Sequence, residues 1–196
     1  MRTSGSGQSA LLLLDVIAEL VRKQIEYAVI GAIAASVHGI VRASFDADAL
    51  VSITLAQLRE LEREFATIGL KTELRVGDFG DPIPSLLALT DTFGNRVDLL
   101  GGLRGIDPAA FARTIEVPFK NSTMRIVGRE DFIAMKVFAG GPQDLVDAYN
   151  AIEDVTQSLD TNLLWRLTER YGSSAMSALK TLLTKTSKND VDDSQP

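Results

Sequence analysis

Apolar positions recur along the chain in two periods, and the places where the period changes outline the elements. Over 11–25 they include Leu12, Val16, Ile17, Leu20 and Val21, the spacing of an amphipathic helix. Tyr27 to Ile30 is a short apolar run that meets Gly31 at once. A strand is therefore expected to pass straight into a small-residue helix over 32–38, closed by Gly39. Residues 46–53 alternate, with Ala47, Ala49, Val51 and Ile53 on one face. Thr54 is a natural N-cap for a helix over 55–68. Strands follow at 71–76, 85–91 and 96–100, the last two as a hairpin around Phe93-Gly94-Asn95. Another strand pair, 114–119 and 123–127, comes after a short helical piece at 108–112. Beyond 129 the period is helical throughout: 129–139, 142–159 with Pro142 in its first turn, 162–171 and 173–183.

This order predicts an α+β, or mixed α/β, fold. A Ser/Gly-rich leader over 1–9 is expected to be flexible, and the polar stretch 185–196 to be a frayed tail. Between them an α/β unit over 10–128 precedes a helical C-terminal part over 129–184.

Composition narrows the chemistry. The 196 residues are 45% hydrophobic and 23% charged, an ordinary balance for a packed core. There is no cysteine and one histidine, which excludes disulfides, thiolate zinc sites and a cluster of histidine ligands. The run Leu11 to Leu14 is cut by Asp15, too short for a signal-peptide core or a membrane span, so a cytoplasmic protein is expected. Twenty Lys and Arg against 26 Asp and Glu leave a net charge of −6. Neutralised phosphates supply most of the affinity for duplex nucleic acid, so extensive DNA or RNA binding is not expected. A local basic patch from Arg96, Arg104, Arg113, Lys120, Arg125 and Arg129 stays open, beside the alternative that these are scattered solvated charges.

The informative stretch is 27–53. Asp46 and Asp48 lie two apart on an expected strand, so both project from one face with Cα atoms about 6.5–7 Å apart. They repel each other unless a cation lies between them, and hard oxygen ligands on a rigid strand suit Mg²⁺. Asp98, on the expected strand 96–100, offers a third carboxylate if that strand lies alongside. Three carboxylates on two neighbouring strands suit a two-metal phosphoryl-transfer centre. A bare Asp-x-Asp, by contrast, is more often a pair of solvated acids. Gly31 changes that balance, because a strand-to-helix turn at glycine lets backbone N–H groups approach a phosphate closely.

The order apolar-Gly31-Ala32, then residues 33–45, then Asp46-x-Asp48 in an apolar strand resembles the signature of the DNA polymerase beta-like nucleotidyltransferases. Within that superfamily, Gly31-Ala32-x-Ala34-x-x-x-His38-Gly39-x-x-Arg42-Ala43-Ser44-x-Asp46-x-Asp48 looks like the abortive-infection nucleotidyltransferase toxins of type IV toxin–antitoxin systems. Downstream, Glu130 to Lys136 followed by Asp144-Leu145-Val146-Asp147 is similar to the later motif of that family. The resemblance covers roughly 12–155. It implies that Asp46 and Asp48 are metal ligands and that Asp98 is a third ligand or the general base. It also implies that Gly31 and Ala32 present backbone to a triphosphate, and that Arg42 and Lys136 pair with phosphates. Asp144 and Asp147 complete the later motif. Two positions depart from the family: Ala32 stands where Gly or Ser is usual, and Gln143 replaces a basic residue.

The activity that the resemblance implies is Mg²⁺- or Mn²⁺-dependent transfer of an NMP from an NTP to an acceptor hydroxyl on a tRNA end, a protein or a small molecule, and the partner it implies is an antitoxin protein; spacing alone shows only a divalent-metal site. The alternative is a catalytically weak or inactive nucleotide-binding module of the same fold, acting as sensor or partner subunit, which Ala32 and Gln143 favour. A third reading is an interaction protein whose acidic strand is only solvated. Lys136 also fits a side chain snorkelling from an amphipathic helix, and Asp144, Asp147 and Asp154 fit a polar stripe. His38, before Gly39, reads as structural.

Overall fold

The computed structural model describes residues 1–40, 44–154 and 158–192. Arg42, expected to meet phosphate, lies outside the described residues. The chain runs α1 (Ser9–Arg22), β1 (Tyr27–Ile30), α2 (Gly31–Val37), β2 (Asp46–Val51), α3 (Leu55–Thr67), β3 (Lys71–Val76), β4 (Ser85–Thr90) and β5 (Arg96–Leu100). After a 3₁₀ turn at Pro108–Phe111 come β6 (Ile115–Phe119), β7 (Ser122–Ile126), α4 (Arg129–Ala139), α5 (Pro142–Glu153), α6 (Thr161–Glu169) and α7 (Ser173–Asp192). The expected mixed α/β architecture is what forms. Local signals set most bounds: Thr54 caps α3 in a reciprocal capping box with Gln57, and Gly140 adopts the left-handed conformation that ends α4.

The seven strands form one mixed sheet in the order β3-β4-β5-β2-β1-β7-β6. β2 pairs antiparallel with β1 and parallel with β5, so the strand after α2 sits at the centre of the sheet. Strand alternation then sorts side chains between two faces. Ala47, Ala49 and Val51 on β2, Val97 and Leu99 on β5, and Leu87 and Leu89 on β4 are all nearly inaccessible and make the face packed by α1 and α3. The opposite face of β2 and β5 carries Asp46, Asp48 and Leu50 beside Arg96, Asp98 and Leu100. Strict alternation from Ala47 to Ile53 was expected, but Leu50 is fully buried and the strand stops at Val51. The acidic end of this face is open and its apolar end is covered.

The cover comes from the helical part. α4 packs against α5, α6 and α7, and Phe132 and Met135 of α4 share a cavity wall with Ile30 and Leu100 of the sheet. One buried cluster runs from Leu12 through the strands to Leu182. Arg129, 6% exposed, sends its guanidinium to the carbonyls of Ala151, Ile152 and Asp154. Those carbonyls are the orphan acceptors of a helix C-terminus, and α5 ends there at Glu153 rather than continuing to 159; residues 155–157 of that expected helix lie outside the described residues. α7 runs to Asp192, beyond the start of the expected tail at 185. The leader is tied to the sheet. Gln8 N–H donates to Asn95 Oδ1 at 2.6 Å, and Asn95 Nδ2 donates to Gly5 O at 2.8 Å. Among the described residues no helix is long and apolar enough to cross a membrane.

Candidate active site

Parallel pairing of β2 with β5 places Asp48 opposite Asp98 and Asp46 opposite Arg96. One carboxylate oxygen from each of Asp46, Asp48 and Asp98 lies within 4.8 Å of the others. The three acids expected to converge do so. Ser44 Oγ donates to Asp46 Oδ1 at 2.6 Å, which orients that carboxylate. Arg96 donates from Nε to Asp98 Oδ1 at 2.7 Å and from Nη2 to Asp98 Oδ2 at 3.0 Å, a fork-to-fork pair. The sequence treats Arg96 only as a surface charge, although its i,i+2 spacing to Asp98 on a strand was the available signal.

Gly31 meets the same cluster from β1. Ile30 is in register with Asp48, and the chain turns directly from β1 into α2 at Gly31 with φ +64°. A Cβ at this position would sit 2.1 Å from Asp48 Oδ2. Glycine is therefore required twice, by conformation and by contact. Ala32 is buried and lines, with Ser36, Ser44 and Asp46, a recess of about 190 Å³. The hydroxyl absent at 32 is thus absent from a wall that Ser9, Ser36 and Ser44 still make polar.

The later motif forms a buried ionic knot. Lys136 Nζ lies 2.7 Å from Asp144 Oδ1 and 2.9 Å from Asp147 Oδ2, with the Phe132 ring centroid 5.6 Å away. Asp147 is fully buried, and Gln143 Nε2 donates to its other oxygen at 2.9 Å. The lysine side chain is only 12% exposed, so it does not snorkel to water. Gln143, read from the sequence as a loss, satisfies a buried carboxylate. Gly31, Lys136 and Asp144 all line one cavity of about 220 Å³, whose other walls, among them Ile83, Leu103 and Phe138, are apolar. Asp46, Asp48 and Asp98 are not in that lining; Gly31 connects the two halves of the site.

The remaining candidates are structural. Arg113 forks onto Asp131 at 2.8 Å through both contacts and reaches Asp107 at 3.0 Å, which raises its own pKa further. Arg125 donates to Thr114 and Phe111, Arg104 lies over Phe79, and Arg129 caps α5. Each of these guanidinium groups is thus engaged within the fold. His38 is buried, its Nε2 2.9 Å from the carbonyl of Val127. Desolvation pushes its pKa down, with the Val127 carbonyl opposing, so the ring is neutral.

Comparison of the sequence with family models and with curated proteins returns no match. Solved structures do match in fold. ANT(2'')-Ia, solved in complex with adenylyl-2''-tobramycin, superposes with a TM-score of 0.52 at 12% identity over 82% of this chain and 95% of its own. An antigenic nucleotidyltransferase-like protein from Paracoccidioides brasiliensis gives 0.50 at 13% identity over 96% and 94%. At these identities the likeness establishes a nucleotidyltransferase-type fold.

Proposed function

We propose that this chain is a divalent-metal-dependent nucleotidyltransferase that moves an NMP from an NTP to an acceptor hydroxyl. The acceptor oxygen bonds to the α-phosphorus, the bond to the β-phosphate breaks, and the hydroxyl proton leaves as pyrophosphate is released. The observation that carries this reading is the contact of the Gly31 turn with Asp48 inside the Asp46–Asp48–Asp98 cluster. An acidic cluster that is merely solvated has no need of a backbone turn packed against it.

The donor set fits a hard cation: three carboxylates, all oxygen, on two paired strands. Asp46 and Asp48 would hold Mg²⁺ or Mn²⁺, with Asp98 as third ligand or as the base that accepts the hydroxyl proton. A bound divalent ion supplies charge neutralisation for the transferring phosphoryl group. The N–H groups of Gly31 and Ala32 would face the triphosphate; α2 has seven residues, so local donors matter more here than a helix macrodipole. The proposed roles of Arg42 and of Lys136 with Asp144 on nucleotide phosphate rest on the motif resemblance. The apolar cavity beside Gly31 is smaller than the ~300–1,000 Å³ of pockets that take a drug-sized ligand. It suits one ring system, such as a nucleobase, rather than a whole substrate.

For the acceptor, the motif over 31–48 favours the toxin-like branch, with a tRNA end or protein as target and an antitoxin as partner. The fold likeness to a protein solved with an adenylylated tobramycin favours a small molecule. The second reading, a nucleotide-binding module without catalysis, is favoured by Ala32. Incubation with each α-labelled NTP, Mg²⁺ or Mn²⁺, and cell extract should label an acceptor. Asp48→Asn should lower that labelling by two orders of magnitude or more while melting cooperatively. Label transfer undiminished in D48N would end the metal assignment. A nucleotide-dependent rise in Tm without any label would favour the binding module.

A further inference from the structure

The two strands that carry the carboxylates are joined at their acidic end by a side chain from outside the sheet. Ser9, the first residue of α1, donates from Oγ to the carbonyl of Phe45 at 2.6 Å and accepts from the backbone N–H of Arg96 at 3.0 Å. Asp46 follows Phe45 directly, Arg96 is its register partner, and Asp98 stands two residues further along β5. Ser9 is itself buried. A hydroxyl gives one proton and accepts another at the same oxygen, which is what a carbonyl on one strand and an N–H on the other require. Alanine at this position supplies neither bond, and both backbone groups lose a partner.

The residues before Ser9 are held on the same strand end. Gln8 N–H donates to Asn95 Oδ1 at 2.6 Å, and Asn95 Nδ2 donates to Gly5 O and to Asp91 Oδ2, both at 2.8 Å. Asn95 and Asp91 are both buried. The start of α1 is therefore fixed to β5 through two consecutive residues, the side chain of Asn95 and the backbone of Arg96. Gly7, Ser9 and Ala10 in turn make one wall of the recess that Ser44 and Asp46 close from the other side.

We infer that Ser9 is a positioning residue of the metal centre: its hydroxyl fixes the backbone from which Asp46 projects against the backbone that carries Asp98, so the spacing of the carboxylates depends on the start of α1. Ser9 acts through the two strands and is not itself a ligand. The inference rests on the metal reading of the cluster given above. It makes the segment over 5–9, expected from the sequence to be a flexible leader, a part of the site.

The test is Mn²⁺ binding to the full chain without nucleotide, read by the loss of the free Mn²⁺ signal in electron paramagnetic resonance. Ser9→Ala keeps every proposed ligand and loosens only their relative placement, so its Mn²⁺ affinity should fall roughly ten-fold, the lower end of what outer partners of a metal site contribute. Ser9→Thr keeps the hydroxyl and should bind clearly more tightly than S9A. Thr54→Ala removes the cap of α3, which costs stability elsewhere in the fold, and should leave Mn²⁺ affinity as in wild type. Unchanged affinity in S9A overturns the inference, as does S9T binding as weakly as S9A. An equal loss in T54A also overturns it, because the effect would then be one of general stability. If S9A fails to melt cooperatively, Ser9→Cys, which keeps the volume but bonds weakly, should lower affinity by a smaller factor; no change there overturns the inference too. A wild-type chain that melts cooperatively but binds no Mn²⁺ ends the metal reading itself and this inference with it.

Discussion

Gly31 is where a single atom decides the most. Its φ of +64° costs an L-residue about 1 kcal/mol or more, and the added methyl would be placed 2.1 Å from Asp48 Oδ2. Gly31→Ala is therefore expected to lose about 1–3 kcal/mol of stability and, separately, to displace the Asp48 carboxylate. Urea denaturation measures the first and Mn²⁺ uptake the second. Stability loss with normal Mn²⁺ uptake would mean that the contact serves the fold alone. The carboxylates and the glycine were legible as residues because their types are rare in apolar strands and their spacing is local. The role of Arg96 was not. The i,i+2 spacing of Arg96 to Asp98 puts both on one strand face, but spacing alone does not tell an ion pair from two solvated charges.

Among the elements, α4 and α5 are joined by a three-membered ionic cluster. Lys136 crosses from α4 to two acids at the start of α5, one of them fully buried. Removing one partner of a buried pair leaves the other charge uncompensated, at a cost of about 3–5 kcal/mol. Lys136→Met should destabilise by that order in chemical denaturation. Adding Asp147→Asn should recover a substantial part, because the stranded charge is gone. If the double variant is no more stable than the single, the knot is not the source of the loss. Helix and strand bounds were largely readable, since capping by Thr54, the Gly140 terminus and the alternation of β2 are signals within a few residues. The end of α5 was not, because the group that terminates it, Arg129, arrives from another helix.

Across the whole molecule, His38 links the sheet part to the helical part. Its ring contacts Phe132 of α4 at a centroid distance of 5.1 Å and bonds the carbonyl of Val127 just after β7. Burial holds its pKa below the ordinary 6.5, so the unfolded chain takes up this proton first as pH falls. The stabilisation from the neutral buried ring is complete above about pH 6.5. It is lost progressively as the pH drops below that toward the depressed folded value. Stability measured between pH 7 and 5 should fall for wild type with a slope that His38→Gln reduces. An unchanged slope in H38Q would place the acid sensitivity in other groups.

Read alone, the sequence determined the elements, their mixed α/β order and the residue types able to hold a hard cation. Each of these depends on neighbours a few positions apart. The tertiary structure decided everything that depends on which strand lies beside which. Pairing of β2 with β5 brings Asp98 to Asp48, and the turn after β1 is pressed onto that carboxylate. The same pairing puts Arg96 among the acids, and packing of α5 on α4 seals Asp147 against Lys136. The electrostatic character of such groups is set by distances of a few ångströms between positions tens of residues apart, and no local pattern encodes those.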